Sequence, residues 1–139
     1  MPSVAALRER VRGWFRREAA PAGPREVLIA EADDKERRAL LRMVRAMGYS
    51  PVEAAGTAEA LRLLEEHFPE CVLLAFDLDD GTGLDALSQV RETAPELPVV
   101  MIARDYHDGR TVEALRRGAV AYLARPFGPD DLREVLGRR

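Results

Sequence analysis

The sequence holds one cysteine, Cys71, one lysine, Lys35, and two histidines, His67 and His107, among its 139 residues. A single thiol excludes a disulfide framework and a cysteine-based zinc site. No apolar run approaches the roughly 18–20 residues that a membrane-crossing helix needs, and none of roughly 7–15 residues stands near the start as a secretory core. A glycine-rich phosphate fingerprint is also missing. Gly81-Thr82-Gly83 meets neither the dinucleotide nor the P-loop spacing, which disfavours a Rossmann enzyme. No serine sits in a nucleophile elbow. The two histidines stand apart and read as surface residues, while Cys71 opens an apolar run and reads as a small packed hydrophobe.

What remains is a chain of 47% hydrophobic and 32% charged residues, a balance and length that suit one globular domain. Its formal charge of -3 conceals two parts. Residues 1–25 carry six arginines and two glutamates, net +4, and residues 26–139 carry fifteen basic and twenty-two acidic side chains, net -7. In residues 1–20, Val4, Leu7, Val11, Trp14 and Phe15 recur every three or four positions between arginines, which predicts an amphipathic helix. Ser3 suits its N-cap, and Pro21 and Pro24 end it, making residues 21–25 a linker.

From residue 26 the pattern alternates. Short apolar runs at Val27–Ala30, Tyr49–Ala54, Cys71–Phe76, Val99–Ala103 and Val120–Ala124 are separated by helical stretches at Asp34–Met47, Thr57–His67, Leu84–Thr93, Asp108–Arg117 and Asp130–Leu136. Thr57 is placed as the cap of the second stretch. Strands apolar on both faces belong in a parallel sheet covered by helices, so residues 26–139 form a doubly wound α/β domain. In such a fold the site lies where loops leave the carboxyl ends of the strands, here residues 31–34, 75–83, 103–108 and 125–128.

Several stretches, in order and at matching distances, resemble the receiver domain of bacterial two-component response regulators. These are Val27-Leu28-Ile29-Ala30-Glu31-Ala32-Asp33, Gly48-Tyr49 with Val52–Gly56, Cys71–Ala75 with Gly83-Leu84, Leu97-Pro98-Val99–Ile102, and Gly118–Phe127. The resemblance implies a five-stranded, flavodoxin-like sheet of strand order 2-1-3-4-5, with the N-terminal helix as an addition. It also implies an aspartate at the end of the third strand that takes a phosphoryl group from a histidine kinase, and acids after the first strand that hold Mg²⁺. A hydroxyl residue at the end of the fourth strand and a lysine after the fifth complete the set. At those positions this chain has Ala75, the pair Glu31-Ala32, Ala103 and Arg125.

A methyl group at position 75 cannot attack phosphorus. Methyl groups at 32 and 75 remove hard oxygen ligands, so Mg²⁺ binding is expected to be weak or absent. Arg125 is a planar fork suited to holding a carboxylate rather than a point charge for phosphate. The expectation is an ion pair between Glu31 and Arg125, the only acid and base assigned to the pocket. Tyr122 keeps the family's switch aromatic but faces Ala103, and Pro126 is a cis-proline candidate by resemblance. Asp77, two residues beyond Ala75, reads first as a solvated acidic loop, next as a partner of Arg125, and last as a substitute phosphoacceptor.

The functional expectation is a cytoplasmic, non-enzymatic pseudo-receiver, acting as a phosphorylation-independent protein-interaction module and taking no cofactor. Its partner would be a sensor kinase or another signalling protein. Self-association through the N-terminal helix or the 108–136 face, and packing of that helix on its own domain or a membrane surface, stay open. Basic residues balanced by acids argue against nucleic acid. The alternatives are a response regulator phosphorylated at Asp77, or a flavin- or nucleotide-binding flavodoxin-like protein.

Overall fold

The computed structural model describes residues 25–137. The expected helix at 1–20, with its stripe of Val4, Leu7, Val11, Trp14 and Phe15, lies outside the described residues, as does most of the linker.

The main sheet consists of β1 (Glu26–Ala30), β2 (Ser50–Ala54), β3 (Cys71–Ala75), β6 (Val99–Ala103) and β7 (Ala121–Ala124), all parallel, in the order β2-β1-β3-β6-β7. This is the doubly wound order of the five principal strands. The loop after β3 is not irregular as expected: Asp77–Leu78 (β4) and Gly81–Thr82 (β5) pair as a small antiparallel hairpin.

Strand side chains alternate between faces, and each face has its own core. Leu28, Ala30, Val72, Leu74, Val99, Met101 and Ala103 point to one side. There they meet Leu64 of α2 (Thr57–Glu66), Leu87 and Val90 of α3 (Gly83–Thr93) and Ala114 of α4 (Thr111–Arg116). Val27, Ile29, Cys71, Leu73, Val100 and Ile102 point to the other, against Leu40, Leu41 and Val44 of α1 (Asp34–Ala46) and Leu132, Val135 and Leu136 of α5 (Pro129–Gly137). Both faces being covered explains the unbroken apolar runs, and Cys71 is wholly buried within one of them.

The helix ends follow local chemistry. Asp33 caps α1 by accepting from the Glu36 N–H at 2.9 Å, and Thr82 caps α3 by accepting from the Asp85 N–H at 3.2 Å. α1 closes at Gly48, whose φ of 91° lies in the left-handed region that glycine reaches without strain. Thr57 is not the cap of α2. The cap is Gly56, which has no side chain to offer, and Asp80 of the hairpin accepts from Thr57 N–H at 2.7 Å and Ala58 N–H at 3.0 Å instead. α4 is also shorter than the sequence pattern suggests, six residues with only Ala114 buried. Asp108, placed in that helix by the pattern, folds its carboxylate back onto its own loop.

One close approach governs the exit of β3. A Cβ built on Gly83 would stand 2.1 Å from the Ala75 carbonyl oxygen and 2.7 Å from Phe76 Cα, both backbone atoms that cannot step aside. Gly83→Ala should therefore cost about 3 kcal/mol, the upper range for overpacking, read as a lower urea midpoint with an unchanged m-value.

Candidate functional site

The sheet parity that sorts the core also aims the rim residues. Glu31 continues the Val27–Ile29 series, and Arg125 follows Leu123 on β7, so both turn toward the α1/α5 side at the carboxyl ends of the strands. Both line a cleft of about 680 Å³, together with Phe76, Ile102 and Pro126. The Arg125–Pro126 peptide is cis.

Glu31 is buried, its side chain 6% exposed. Its Oε1 receives Arg125 Nη2 at 2.5 Å and its Oε2 accepts from the Asp33 N–H at 3.1 Å, so both oxygens are engaged. The structure thus brings Glu31 and Arg125 together, but not as an isolated pair. Glu36, from the first turn of α1, takes Arg125 Nε at 2.9 Å. One arginine fork is shared by a buried and a half-exposed carboxylate, which uses the planar geometry a lysine lacks. The expectation that Glu31 and Arg125 were the only charges there is corrected: Asp33, Glu36, Asp77, Arg104 and Asp105 also line the cleft. Arg37 braces the same corner, reaching the Glu31 carbonyl at 2.9 Å and pairing with Asp34 and Glu53. Hydrogen bonding to Asp34 leads the effects that raise the Arg37 pKa.

The Mg²⁺ expected of the family finds no fit in these residues. Positions 32 and 75 carry methyl groups, Glu31 has both oxygens occupied, and the Asp33 carboxylate caps α1. Octahedral coordination needs several free hard oxygens. Ala75 is buried at the end of β3, and Ala103 is fully buried on the opposite face of the sheet, in the same core as Ala114. Tyr122 is 44% exposed on β7.

Asp77 does not pair with Arg125. Its partner is Arg110, whose Nη1 and Nη2 stand 2.9 and 3.4 Å from its two oxygens. It keeps the solvent exposure expected of a loop acid, its side chain 72% exposed, while Arg110 holds it. The Arg110 guanidinium holds the Asp77 carboxyl below its ordinary range, through hydrogen bonds and then charge. The same guanidinium grips Asp108 at 2.8 and 2.9 Å and lies 4.7 Å over the Phe76 ring. Asp108 is depressed further, chiefly by the Arg110 hydrogen bonds, aided by the backbone N–H groups of Arg104 and Arg110. Asp80 is also lowered, by the α2 N–H groups it caps. His67 is not isolated either, its Nδ1 lying 2.8 Å from Glu26 Oε2 at the far end of β1.

The pairing roles of Arg110, Asp108 and Glu36 and the capping role of Asp80 are not legible in the periodic sequence pattern. The Asp-x-Arg spacing of 108 and 110 was the available signal, since a carboxylate two residues before an arginine closes readily on a turn.

Comparison with known proteins follows from this geometry. A family model described as the response regulator receiver domain matches residues 27–137. The transcriptional regulatory protein PdtaR of Mycobacterium tuberculosis is 38% identical over 117 residues, which are 83% of this chain and 56% of that protein. The phosphate regulon transcriptional regulatory protein PhoB of Klebsiella pneumoniae is 30% identical over 110 residues, 78% of this chain and 48% of that one. The chain therefore spans about half the length of these curated relatives. Among solved structures, the receiver domain of NtrX from Brucella abortus superposes with a TM-score of 0.77 at 29% identity, covering 81% of this chain and 95% of that one. The receiver domain of the sensor histidine kinase PA1611 from Pseudomonas aeruginosa, solved with a magnesium ion in its active site cleft, gives 0.76 at 26%, covering 84% and 97%.

Arg125→Met should leave Glu31 buried without its counter-charge and cost about 3 kcal/mol, whereas adding Glu31→Gln should recover more than half of it in denaturant melts. Asp108→Asn should cost about 2 kcal/mol at pH 7. Because the folded carboxyl is depressed, that stabilisation is present above the unfolded value of 3.8 and fades as pH falls toward the folded one. Wild type and Asp108→Asn should accordingly converge in stability in melts run progressively below about pH 4.

Proposed function

The chain belongs to the response regulator receiver family, and from that premise we propose that it is a pseudo-receiver, a two-component-type signalling module that works through protein contacts without phosphorylation. The observation that carries this reading is the closed rim: a buried Glu31 with both oxygens bound, Arg125 shared between Glu31 and Glu36, and a methyl group at Ala75. The family's chemistry needs a free carboxylate next to a metal, and here the Glu31 carboxylate is taken up by an arginine. Mg²⁺ binding is correspondingly weak, and the domain is not an enzyme.

Arg110 argues against Asp77 as a substitute acceptor. A carboxylate held bidentately by a guanidinium is a poor nucleophile, and Asp77 would have to leave Arg110 before attacking phosphorus. A flavin site has less support, since the strand ends supply no loop of consecutive backbone N–H groups to cradle a phosphate.

Output falls to surface recognition. Val112 and Leu115 of α4, Val120 just before β7 and Tyr122 on β7 are exposed, as is Tyr106 in the loop before α4. This is the 108–136 face, the docking surface for a protein partner such as a sensor kinase, or for a second copy. None of the helices among the described residues is long and apolar enough to cross a membrane. The basic segment 1–20, with its apolar stripe, is a second contact region, through which the chain dimerises or reaches a partner.

Incubation with a small-molecule phosphodonor and Mg²⁺, followed by intact mass, tests the reading. No adduct is expected. An ~80 Da adduct that disappears in Asp77→Asn overturns it in favour of the phosphoaccepting alternative.

A further inference from the structure

α4 is the least anchored element of the fold. α1, α3 and α5 each bury three or more side chains, but α4 spans six residues and buries only Ala114, while Val112 and Leu115 face outward. An isolated helix of this length is unstable in water, and one buried methyl is little packing to hold it. Its position must come from elsewhere, and the structure shows two polar pins at its ends.

The first pin precedes the helix. Arg110 donates to Asp108 through Nε and Nη2 and to Asp77 through Nη1, with its guanidinium over the buried Phe76 ring. The Asp108 side chain is 3% exposed and also accepts from the N–H groups of Arg104 and Arg110, so one carboxylate draws the two ends of the 104–110 loop together. Asp77 belongs to the β4–β5 hairpin, which is itself fixed: Asp79 N–H donates to the Ala55 carbonyl, and Asp80 caps α2. The second pin follows the helix. Arg117 donates to Glu113 at 2.9 Å, to the Leu84 carbonyl at 3.2 Å and to Ser88 Oγ at 3.3 Å, tying the end of α4 to α3.

We propose that the Asp77–Arg110–Asp108 cluster is a conformational clamp that holds the loop 104–110 and α4 in one position against the β3 exit, keeping the exposed α4/β7 face pre-organised for its partner. The inference rests on the pseudo-receiver reading, since a face that needs no phosphoryl signal must be held by the resting structure. Asp77 and Arg110 act as one contact: removing either one breaks the ion pair that joins the loop to the hairpin. Asp77 lines the cleft, but Glu31 and Arg125 pair with each other, with Glu36 and with the Asp33 N–H, so releasing the clamp should not disturb that pair.

Amide hydrogen exchange on the full chain tests this, with peptides covering residues 104–118 compared among wild type, Asp77→Asn, Arg110→Gln and the double variant. Both single variants should exchange at least about tenfold faster in 104–118, while β1, β3 and α1 peptides keep wild-type rates and far-UV circular dichroism is unchanged. The double variant should match Arg110→Gln, because a shared contact is lost only once. Arg133→Gln, which breaks an exposed pair on α5 with Asp130, should leave 104–118 at the wild-type rate. Wild-type exchange in 104–118 in both single variants overturns the clamp, as does a double variant whose acceleration is the product of the two. Failure of the pseudo-receiver reading is read separately, as a phosphoryl adduct in the intact mass of the wild-type chain.

Discussion

A parallel sheet covered on both faces leaves no place for polar groups along its strands, and that constraint organises the whole molecule. Ten or more strand side chains fill two dry cores, so every charge with work to do is displaced to the rim where loops leave the strands. Two carboxylates at that rim are nonetheless buried, those of Glu31 and Asp108. Glu31, the residue after β1, is stable there because Arg125 reaches it from across the sheet and the Asp33 N–H satisfies its other oxygen.

Arginine takes over the electrostatics of this rim. Arg125 bridges two acids, Arg110 grips two more and covers an aromatic ring, and Arg37 reaches a carbonyl and two carboxylates. A lysine offers a compact charge that suits a transient phosphoryl group, whereas a planar fork suits a permanent partner. With one lysine and twenty arginines, the chain makes its rim pairs with planar forks.

The fold was legible because its signals are periodic and local. Five apolar runs and the stop at Gly48 are each readable within a few residues, whereas the Asp33 and Thr82 caps emerged only with the structure. Glu31, Ala75, Ala103 and Arg125 were legible through the family's spacing. What escaped lies between loops: Asp77 meets Arg110 across 33 residues, Asp80 meets Thr57 across 23, and Glu36 meets Arg125 from a different layer. A charge in a loop carries no periodicity, and its partner is chosen by the fold rather than by neighbours in the chain. Pairing Asp77 with Arg125 failed for that reason, although its exposure to solvent was legible, and the Thr57 cap failed because a hairpin side chain supplied what Gly56 could not.

The approach of Gly83 to the Ala75 carbonyl has an evolutionary reading. It is a contact between main-chain atoms, indifferent to which side chain stands at position 75. Selection on the shape of that turn and selection on the reactivity of the rim therefore act on separate residues. A substitution at position 75 can change the chemistry of the rim and leave the turn intact, whereas one at position 83 disturbs the turn and adds no reactive group.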